Sequence, residues 1–136
     1  MERNEVVLQA LNEYLMENFH YDTKPSKFGP TSRIISATRD ELSLYLRLFE
    51  RRIGIWEPNT FVIARIEFSE ERKGHGTNLL MFLTKLLNDQ GVEFVGIESV
   101  VSEGGAQFAK KFGFSPFKSD DNFVISIEDL IKYFQK

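Results

Sequence analysis

The sequence predicts one domain of the α/β (α+β) class, with a mixed, mostly antiparallel central sheet flanked by helices. Two observations carry this prediction. Leucine occupies every second position from 42 to 48, which indicates a strand with one buried face. Farther along, the apolar segment 60–68 is followed by a turn with two glycines, a helical repeat and a second apolar segment. Such a strand–helix–strand unit needs a crossover connection, so its two strands are expected to run parallel.

The first half of the chain predicts one helix followed by strands. Apolar side chains recur at helical spacing through residues 4–18, which predicts an amphipathic helix. Residues 20–31 contain two prolines and a glycine and are predicted to form a loop. Strands are then predicted at 33–38, 41–49 and 60–68, and residues 53–56 either continue the second strand or form a strand of their own.

The second half alternates helices with strands. Leucines at 79, 80, 83, 86 and 87 predict a helix that begins near Thr77 and is followed by Gly91 as its C′ residue. The apolar run 92–101 predicts the second strand of the parallel pair. A short helix at 105–112, a strand at 122–127 and a final helix at 128–135 complete the predicted elements.

The composition fits a globular protein without cross-links. The chain has 136 residues and a hydrophobic content of 42%, which is enough to bury a core. Cysteine is absent, which excludes disulfides, thiolate nucleophiles and cysteine-bound metal ions and suits a cytoplasmic protein. The two histidines are far apart in the sequence, so we expect no metal site.

Charge and hydropathy argue against two classes of partner. The net charge of −3 gives no electrostatic reason to expect nucleic-acid binding. The first residues lack the apolar core of a secretory signal, and no stretch approaches the length of a membrane span. We therefore expect neither nucleic acid nor membrane among the partners.

The turn before the helix at Thr77 has the features of an anion-binding site. It places two close glycines, Gly74 and Gly76, where the helix begins. The first N–H groups of a helix lack acceptors within it and lie at the positive end of its dipole, and glycine lets them approach an anion. We predict a phosphate-binding nest over residues 73–78. The segment lacks the Gly-Lys-Ser/Thr ending of a P-loop, and Leu79 stands where a Rossmann fingerprint has its third glycine.

Two motifs resemble those of the GNAT (GCN5-related N-acetyltransferase) family. The family carries Arg/Gln-x-x-Gly-x-Gly/Ala between a strand and a helix, where residues 71–76 read Glu-Arg-Lys-Gly-His-Gly. A later family helix ends in a Gly-Phe pair, seen here as Gly113-Phe114. The resemblance covers roughly residues 30–127 and implies a GNAT-like sheet whose parallel strands splay apart. The whole chain, 1–136, then forms a single acetyltransferase domain with a shortened N-terminal part.

The chain departs from the family pattern at three positions. Glu71 stands at the Arg/Gln position, and Arg72 beside it is the candidate substitute. Ala109 stands where the family often has a tyrosine that serves as general acid, and Ser102 stands where it commonly has an asparagine.

The resemblance implies an acetyl-CoA-dependent N-acetyltransferase that moves the acetyl group to a primary amine by direct attack. Acetyl-CoA is the expected co-substrate, no metal is expected, and the amine acceptor is not identified. Backbone N–H groups near Ile66 and Phe68 are expected to bind pantetheine and to polarise the thioester carbonyl. The residues expected to bind the cofactor are Ile66, Phe68, Arg72, Lys73, Gly74, His75, Gly76, Thr77, Asn78, Ser102, Phe108 and Lys111.

Glu67 and Glu98 are the candidate catalytic residues. Direct attack needs a neutral amine, so a base or a water relay must remove a proton. Both carboxylates stand in otherwise apolar runs near the ends of the two predicted parallel strands. Either could instead face solvent or pair with an arginine such as Arg65. The side chain of His75 is expected to point away from the thioester.

Other interpretations stay open. Ala109 and the shortened front also fit a non-catalytic acyl-CoA-binding regulatory or interaction module of the same fold. The glycines could also serve only a tight turn in a plain α/β scaffold. Phe108 fits core packing, Lys111 fits a solvated helix face, and Tyr45 and Trp56 fit sheet packing better than an acceptor site. An exposed strand edge and a Phe-rich C-terminal part are compatible with a homodimer.

Overall fold

One mixed sheet organises the molecule. The structure, a computed structural model, describes residues 2–70, 73–98 and 103–135. The strands in these ranges are β1 (Ser26–Phe28), β2 (Ile34–Arg39), β3 (Leu42–Phe49), β4 (Thr60–Phe68), β5 (Phe94–Ile97), β6 (Ser115–Pro116) and β7 (Phe123–Ser126). They lie side by side in the order β1-β2-β3-β4-β5-β7-β6. Every neighbouring pair is antiparallel except β4 and β5, which run parallel, so the predicted sheet is confirmed.

The helices of the described ranges share one face of the sheet. They are α1 (Arg3–Phe19), α2 (His75–Asp89), α3 (Glu103–Lys111) and α4 (Ile127–Phe134). Leu11 of α1, Leu83 of α2 and Leu130 of α4 are buried in one core with the leucines of β3. We call this side of the sheet the helix face. No helix in the described part of the chain combines the length and apolar character needed to cross a membrane.

The opposite side, here called the outer face, carries a second and smaller core. Phe49, Trp56 and Val62 are buried there, and half-buried apolar side chains pack around them. Arg47 shares this side because it pairs with Val62 across β3 and β4. The outer face therefore carries an apolar group around Trp56 and a charged side chain, Arg47, beside it.

Most predicted elements are found close to their expected positions. The helix predicted at 4–18 is α1, the strand predicted at 60–68 is β4, and the leucine repeat after Thr77 lies in α2. The alternation of β3 is also confirmed, because all four of its leucines are buried. Local periodicity was sufficient for α1, β3 and α2, and strand-like composition was sufficient for β4, because each one buries a continuous face.

Two predictions in the first half are wrong. The predicted loop 20–31 contains β1, which the side chain of Asn12 supports: its Nδ2 donates to the Ser26 carbonyl and its Oδ1 accepts from the Ser26 N–H. Residues 53–56 neither continue β3 nor form a strand, because Ile53 and Trp56 make only an isolated bridge. Gly54 between them has a φ of 59°, which closes a tight turn.

The predicted strand 92–101 is also shorter in the structure. Only Phe94–Ile97 forms β5, because Gly91 has a φ of 76° and the N–H groups of residues 93 and 94 both donate to the Asn59 carbonyl. Residues 99–101 lie outside the described residues. Glu98 therefore follows β5 directly.

Candidate cofactor site

The parallel strands pair over only part of their length. Thr60–Ile63 of β4 faces Phe94–Ile97 of β5, and the Glu98 N–H donates to the Ile63 carbonyl at 3.1 Å. Beyond Ile63, β4 continues to Phe68 with β3 as its partner. Within the described residues, this later part of β4 has no strand on its β5 side. We call the space beside it the gap.

A β-bulge marks the place where the gap begins. Tyr45 pairs with Arg65 while its neighbour Leu46 pairs with Ile63, so Ala64 is an extra residue in β4. A bulge bends the strand that carries it and increases its twist. Because Ala64 directly follows the last residue that β5 pairs with, the bulge coincides with the end of the β4–β5 pairing.

Backbone groups of β4 face the gap. The Ser69 N–H donates to the Glu41 carbonyl at 2.9 Å, toward the β3 side. Backbone groups alternate along a strand, so those of Glu67 also face β3 and those of Ile66 and Phe68 face the gap. Their half-buried side chains meanwhile pack on the core of the helix face. This is the edge at which the resemblance places pantetheine.

The helix α2 begins just beyond the end of β4. Gly74 is its N-cap residue with a φ of 80°, and the Asn78 N–H donates to the Gly74 carbonyl at 2.9 Å. The amides of His75, Gly76 and Thr77 precede this first helical bond and have no acceptor among the described residues. Three free donors at the positive end of a helix dipole favour an anion.

The His75 side chain packs against two phenylalanine rings. Its ring centroid is 5.0 Å from that of Phe19 in α1 and 5.4 Å from that of Phe68 in β4. Phe19 and Phe68 in turn stack with their centroids 5.8 Å apart. This aromatic group fixes the start of α2 against α1 and β4.

Phe108 of α3 packs directly on the glycine turn. A Cβ added to Gly76 would lie 3.2 Å from Cε2 of Phe108, so the missing side chain lets α3 approach α2. The Phe108 ring also meets Phe112 edge-on with centroids 5.0 Å apart. Lys111 is exposed, with its Nζ 5.3 Å from the centroid of Phe112.

The remaining predicted cofactor residues lie around the same turn or outside the described part. Lys73, Gly74 and Asn78 are exposed and Thr77 is half-buried. Arg72 and Ser102 lie outside the described residues, as does Glu71.

The two candidate proton acceptors have different surroundings. Glu67 is on the outer face with 71% of its side chain exposed, and its Oε1 lies 3.6 Å from Nε of Arg65. It therefore lacks the apolar surroundings that the sequence suggested. The side chain of Glu98 is only 18% exposed. Its Oε1 lies 2.6 Å from Nη1 of Arg47, and its Oε2 accepts a hydrogen bond of 3.2 Å from Nε1 of Trp56.

Sequence reasoning missed the partners of Glu98. Arg47 occupies a polar position in the alternating pattern of β3. That pattern does not indicate that its side chain contacts Glu98. Gly96 interrupts the apolar run of β5 and was a usable signal, because an isolated glycine in a strand often marks a close approach. The described residues contain no group of three or more His, Asp or Glu side chains able to hold a metal ion.

The fold is similar to those of solved acetyltransferase structures. AtaTR bound with acetyl-CoA is 17% identical, with 74% of this chain and 69% of that one covered and a TM-score of 0.53. Tetrahymena GCN5 is 14% identical over 93% of this chain and 90% of its own, with a TM-score of 0.52. An acetyltransferase of the GNAT family from Staphylococcus aureus Mu50 is 9% identical over 91% and 92%, with a TM-score of 0.50.

The sequence itself matches no protein-family model and no curated protein. Structural similarity at these identities establishes the architecture and leaves the activity to be argued from the site. The strand order, the one parallel pair among the described strands and the structural matches agree with one another. The protein therefore has the fold of the GNAT N-acetyltransferases, and the resemblance in its motifs is confirmed at the level of the fold.

Proposed function

We propose that the protein is an acetyl-CoA-dependent N-acetyltransferase that acts on a primary amine. The proposal rests on one observation: two sets of free backbone donors lie close together. Ile66 and Phe68 present backbone groups to the gap, and the amides at the start of α2 lie just past the end of the same strand. An extended pantetheine chain fits the first set and a pyrophosphate fits the second. AtaTR, whose fold is similar, is described with acetyl-CoA bound.

The cofactor contacts are proposed as follows. Pantetheine pairs with the β4 edge at Ile66 and Phe68, and the pyrophosphate lies on the amides of residues 75–77. The exposed Lys73 adds positive charge beside it, and Arg72 and Ser102 stay in the proposed set. Lys111 is available to the 3′-phosphate, and Phe108 shapes the turn by packing on Gly76.

The proposed reaction is a direct transfer. The amine nitrogen attacks the thioester carbonyl carbon, a C–N bond forms, and the C–S bond breaks with the electron pair going to sulfur. The attacking nitrogen loses one proton to a base, and the departing thiolate gains one. Backbone N–H donors at the β4 edge stabilise the oxyanion.

Glu98 is the better-placed base of the two candidates. It lies at the opening of the gap and is mostly shielded from water, whereas Glu67 is largely exposed and paired with Arg65. Ala109 is fully buried in the core, so we expect water to supply the proton that the thiolate takes up. Replacing a general base lowers kcat by about 10²- to 10⁴-fold, and we expect at least the lower figure for Glu98→Ala.

Two measurements test the proposal. Calorimetry with CoA should give a Kd within about 1 µM to 1 mM, the usual range for substrates. Acetyl-CoA should then be mixed with putrescine, spermidine, Nα-acetyl-lysine and a peptide with a free N-terminus. Transfer should release free CoA thiol and increase the mass of one amine by an acetyl group. Absence of CoA binding at saturating concentrations would overturn the proposal.

The second candidate function is a non-catalytic acyl-CoA-binding module of the same fold. Ala109 favours it, because the family's usual acid is replaced by a buried methyl group. CoA binding in calorimetry without transfer to any amine would identify this case. A homodimer and a cytoplasmic location also stay predictions, and sedimentation would test the first.

A further inference from the structure

The small core of the outer face surrounds one side chain, Trp56, which is 4% exposed. We call this group the Trp56 cluster. Its members are Phe49, Ile55, Trp56, Val62, Phe117 and Val124. The cluster lies on both strands of the parallel pair, because Val62 belongs to β4 and the ring of Trp56 lies against Gly96 of β5.

The indole ring of Trp56 is packed against both Gly96 and Phe117. A Cβ built on Gly96 would lie 2.4 Å from Cζ3 and 2.7 Å from Cη2 of the indole, so the ring rests on the bare backbone of β5. The ring also stacks with Phe117, at 5.4 Å between centroids and an interplanar angle of 21°. A buried ring that is packed in this way has a fixed direction for its single N–H group.

That N–H group is directed at Glu98. Nε1 of Trp56 donates to Oε2 of Glu98 at 3.2 Å, and Nη1 of Arg47 lies 2.6 Å from Oε1. Each carboxylate oxygen is therefore bound by a different part of the chain, β3 on one side and the turn before β4 on the other. Two donors on two oxygens leave the carboxylate little freedom to rotate.

We infer that Trp56, seated on Gly96, and Arg47 are positioning residues that hold the Glu98 carboxylate at the opening of the gap. The inference rests on the proposed function only for the role of Glu98 as proton acceptor. Packing of the cluster alone does not explain why a tryptophan stands at position 56. A phenylalanine would fill the same cluster, whereas only the indole supplies a donor to Glu98.

The first test is spectroscopic and needs no substrate. Trp56 is the single tryptophan of the chain, so the indole Nε1–H proton gives one assigned resonance in an NMR spectrum. Glu98→Ala should move this resonance upfield because the hydrogen bond is lost. Glu57→Ala is the matched control: Glu57 is the next residue in the chain, yet its carboxylate pairs with Arg52. An unmoved resonance in Glu98→Ala would overturn the inference.

The second test measures the coupling to catalysis. With acetyl-CoA and the best acceptor among the four amines, Trp56→Phe should lower kcat about tenfold and leave the KM for acetyl-CoA unchanged. In a Glu98→Ala background the same substitution should change kcat less than about twofold, because Trp56 acts through Glu98. Independent, multiplying effects of the two substitutions would overturn the inference.

The two proposals can fail separately. If wild-type protein binds CoA but acetylates none of the amines, and the indole resonance still moves only in Glu98→Ala, the transferase proposal fails and the positioning of Glu98 stands. If transfer occurs and the resonance stays unmoved, the positioning fails and the transferase stands.

Discussion

Two glycines allow the close approach of an aromatic ring because they have no side chain. Gly96 makes room for Trp56 on the outer face, and Gly76 makes room for Phe108 on the helix face. Neither glycine has a positive φ, so each is required by the approach of an aromatic ring and not by backbone conformation. The spacing is tighter at Gly96, where a Cβ would meet the indole at 2.4 Å, than at Gly76, where it would meet the ring at 3.2 Å.

This difference predicts an order of destabilisation. Gly96→Ala forces the indole or β5 to move, and we expect it to lower the free energy of unfolding by about 1–3 kcal/mol, as overpacking does. Gly76→Ala needs a shift of only a few tenths of an ångström and should cost less than Gly96→Ala. Urea unfolding followed by far-UV circular dichroism measures both. Equal losses would contradict the packing argument.

Tyr21 gives a prediction about alkaline pH. Burial, followed by a hydrogen bond to Glu41 and the charge of that carboxylate, raises the pKa of Tyr21 to about 12. An unfolded tyrosine has a pKa of about 10. The folded state therefore holds the proton more tightly, and this contribution is complete below pH 10 and is lost as the pH rises toward 12.

The control for this effect is Tyr21→Phe, which cannot titrate. The stability difference between wild type and Tyr21→Phe should be constant up to about pH 10 and should then shrink. Denaturant unfolding at a series of pH values checks it. A stability difference that increases with pH would contradict the prediction, because it would mean that the folded state holds the Tyr21 proton less tightly than the unfolded state.

At the scale of elements, α2 lies between two left-handed glycines. Gly74 precedes it with a φ of 80°, and Gly91 follows it with a φ of 76°. The carbonyl of Leu87 accepts from the Val92 N–H, which closes the C-terminal end. Any other residue at either position would have the same backbone strain. Only Gly74, however, lies at the end of α2 that has the free amides.

This symmetry supplies a matched pair of variants. Gly74→Ala and Gly91→Ala should each lower stability by roughly 1–2 kcal/mol, the strain of a left-handed non-glycine residue. Only Gly74→Ala should weaken CoA binding, by about tenfold or about 1.4 kcal/mol, because its strain is relieved by moving the amides of the turn. Calorimetry with CoA distinguishes the two. Equal weakening in both would indicate a general loss of structure.

The same scale explains which parts of the structure the sequence predicted. β3 and α2 repeat their apolar positions locally, the composition of β4 is typical of a strand, and the glycines that bound α2 are visible in the chain. β1 has only three residues and depends on Asn12 from α1, so no local pattern announces it. The turn of the candidate site was predictable from its two glycines. The surroundings of Glu98 were not, because Trp56 lies 42 residues away in sequence.

At the scale of the molecule, the sheet separates two cores of unequal size. The larger one joins α1, α2 and α4 to the helix face, and the smaller Trp56 cluster lies on the outer face. The same strands line both cores: Phe61 of β4 is buried on one side and Val62 on the other. Loss of one core should therefore destabilise the other.

Leu11→Ala tests this dependence. Leu11 is fully buried in the larger core, so its truncation should lower the free energy of unfolding by about 2–5 kcal/mol. Circular dichroism reports the helices, and fluorescence reports Trp56 on the other face. The two urea transitions should coincide in wild type and should shift together in the variant. Separate midpoints would show that the cores unfold independently.

Ala64 is the extra residue in β4, and deleting it should close the gap beside that strand. Excising Ala64 would join Ile63 to Arg65, and Arg65 would keep Tyr45 as its neighbour, so every side chain would retain its side of the sheet. What would disappear is the bend. Beyond Ile63 the shortened strand should keep the direction that it has beside β5, giving a folded protein that no longer takes up CoA in calorimetry, although no contacting group had been altered.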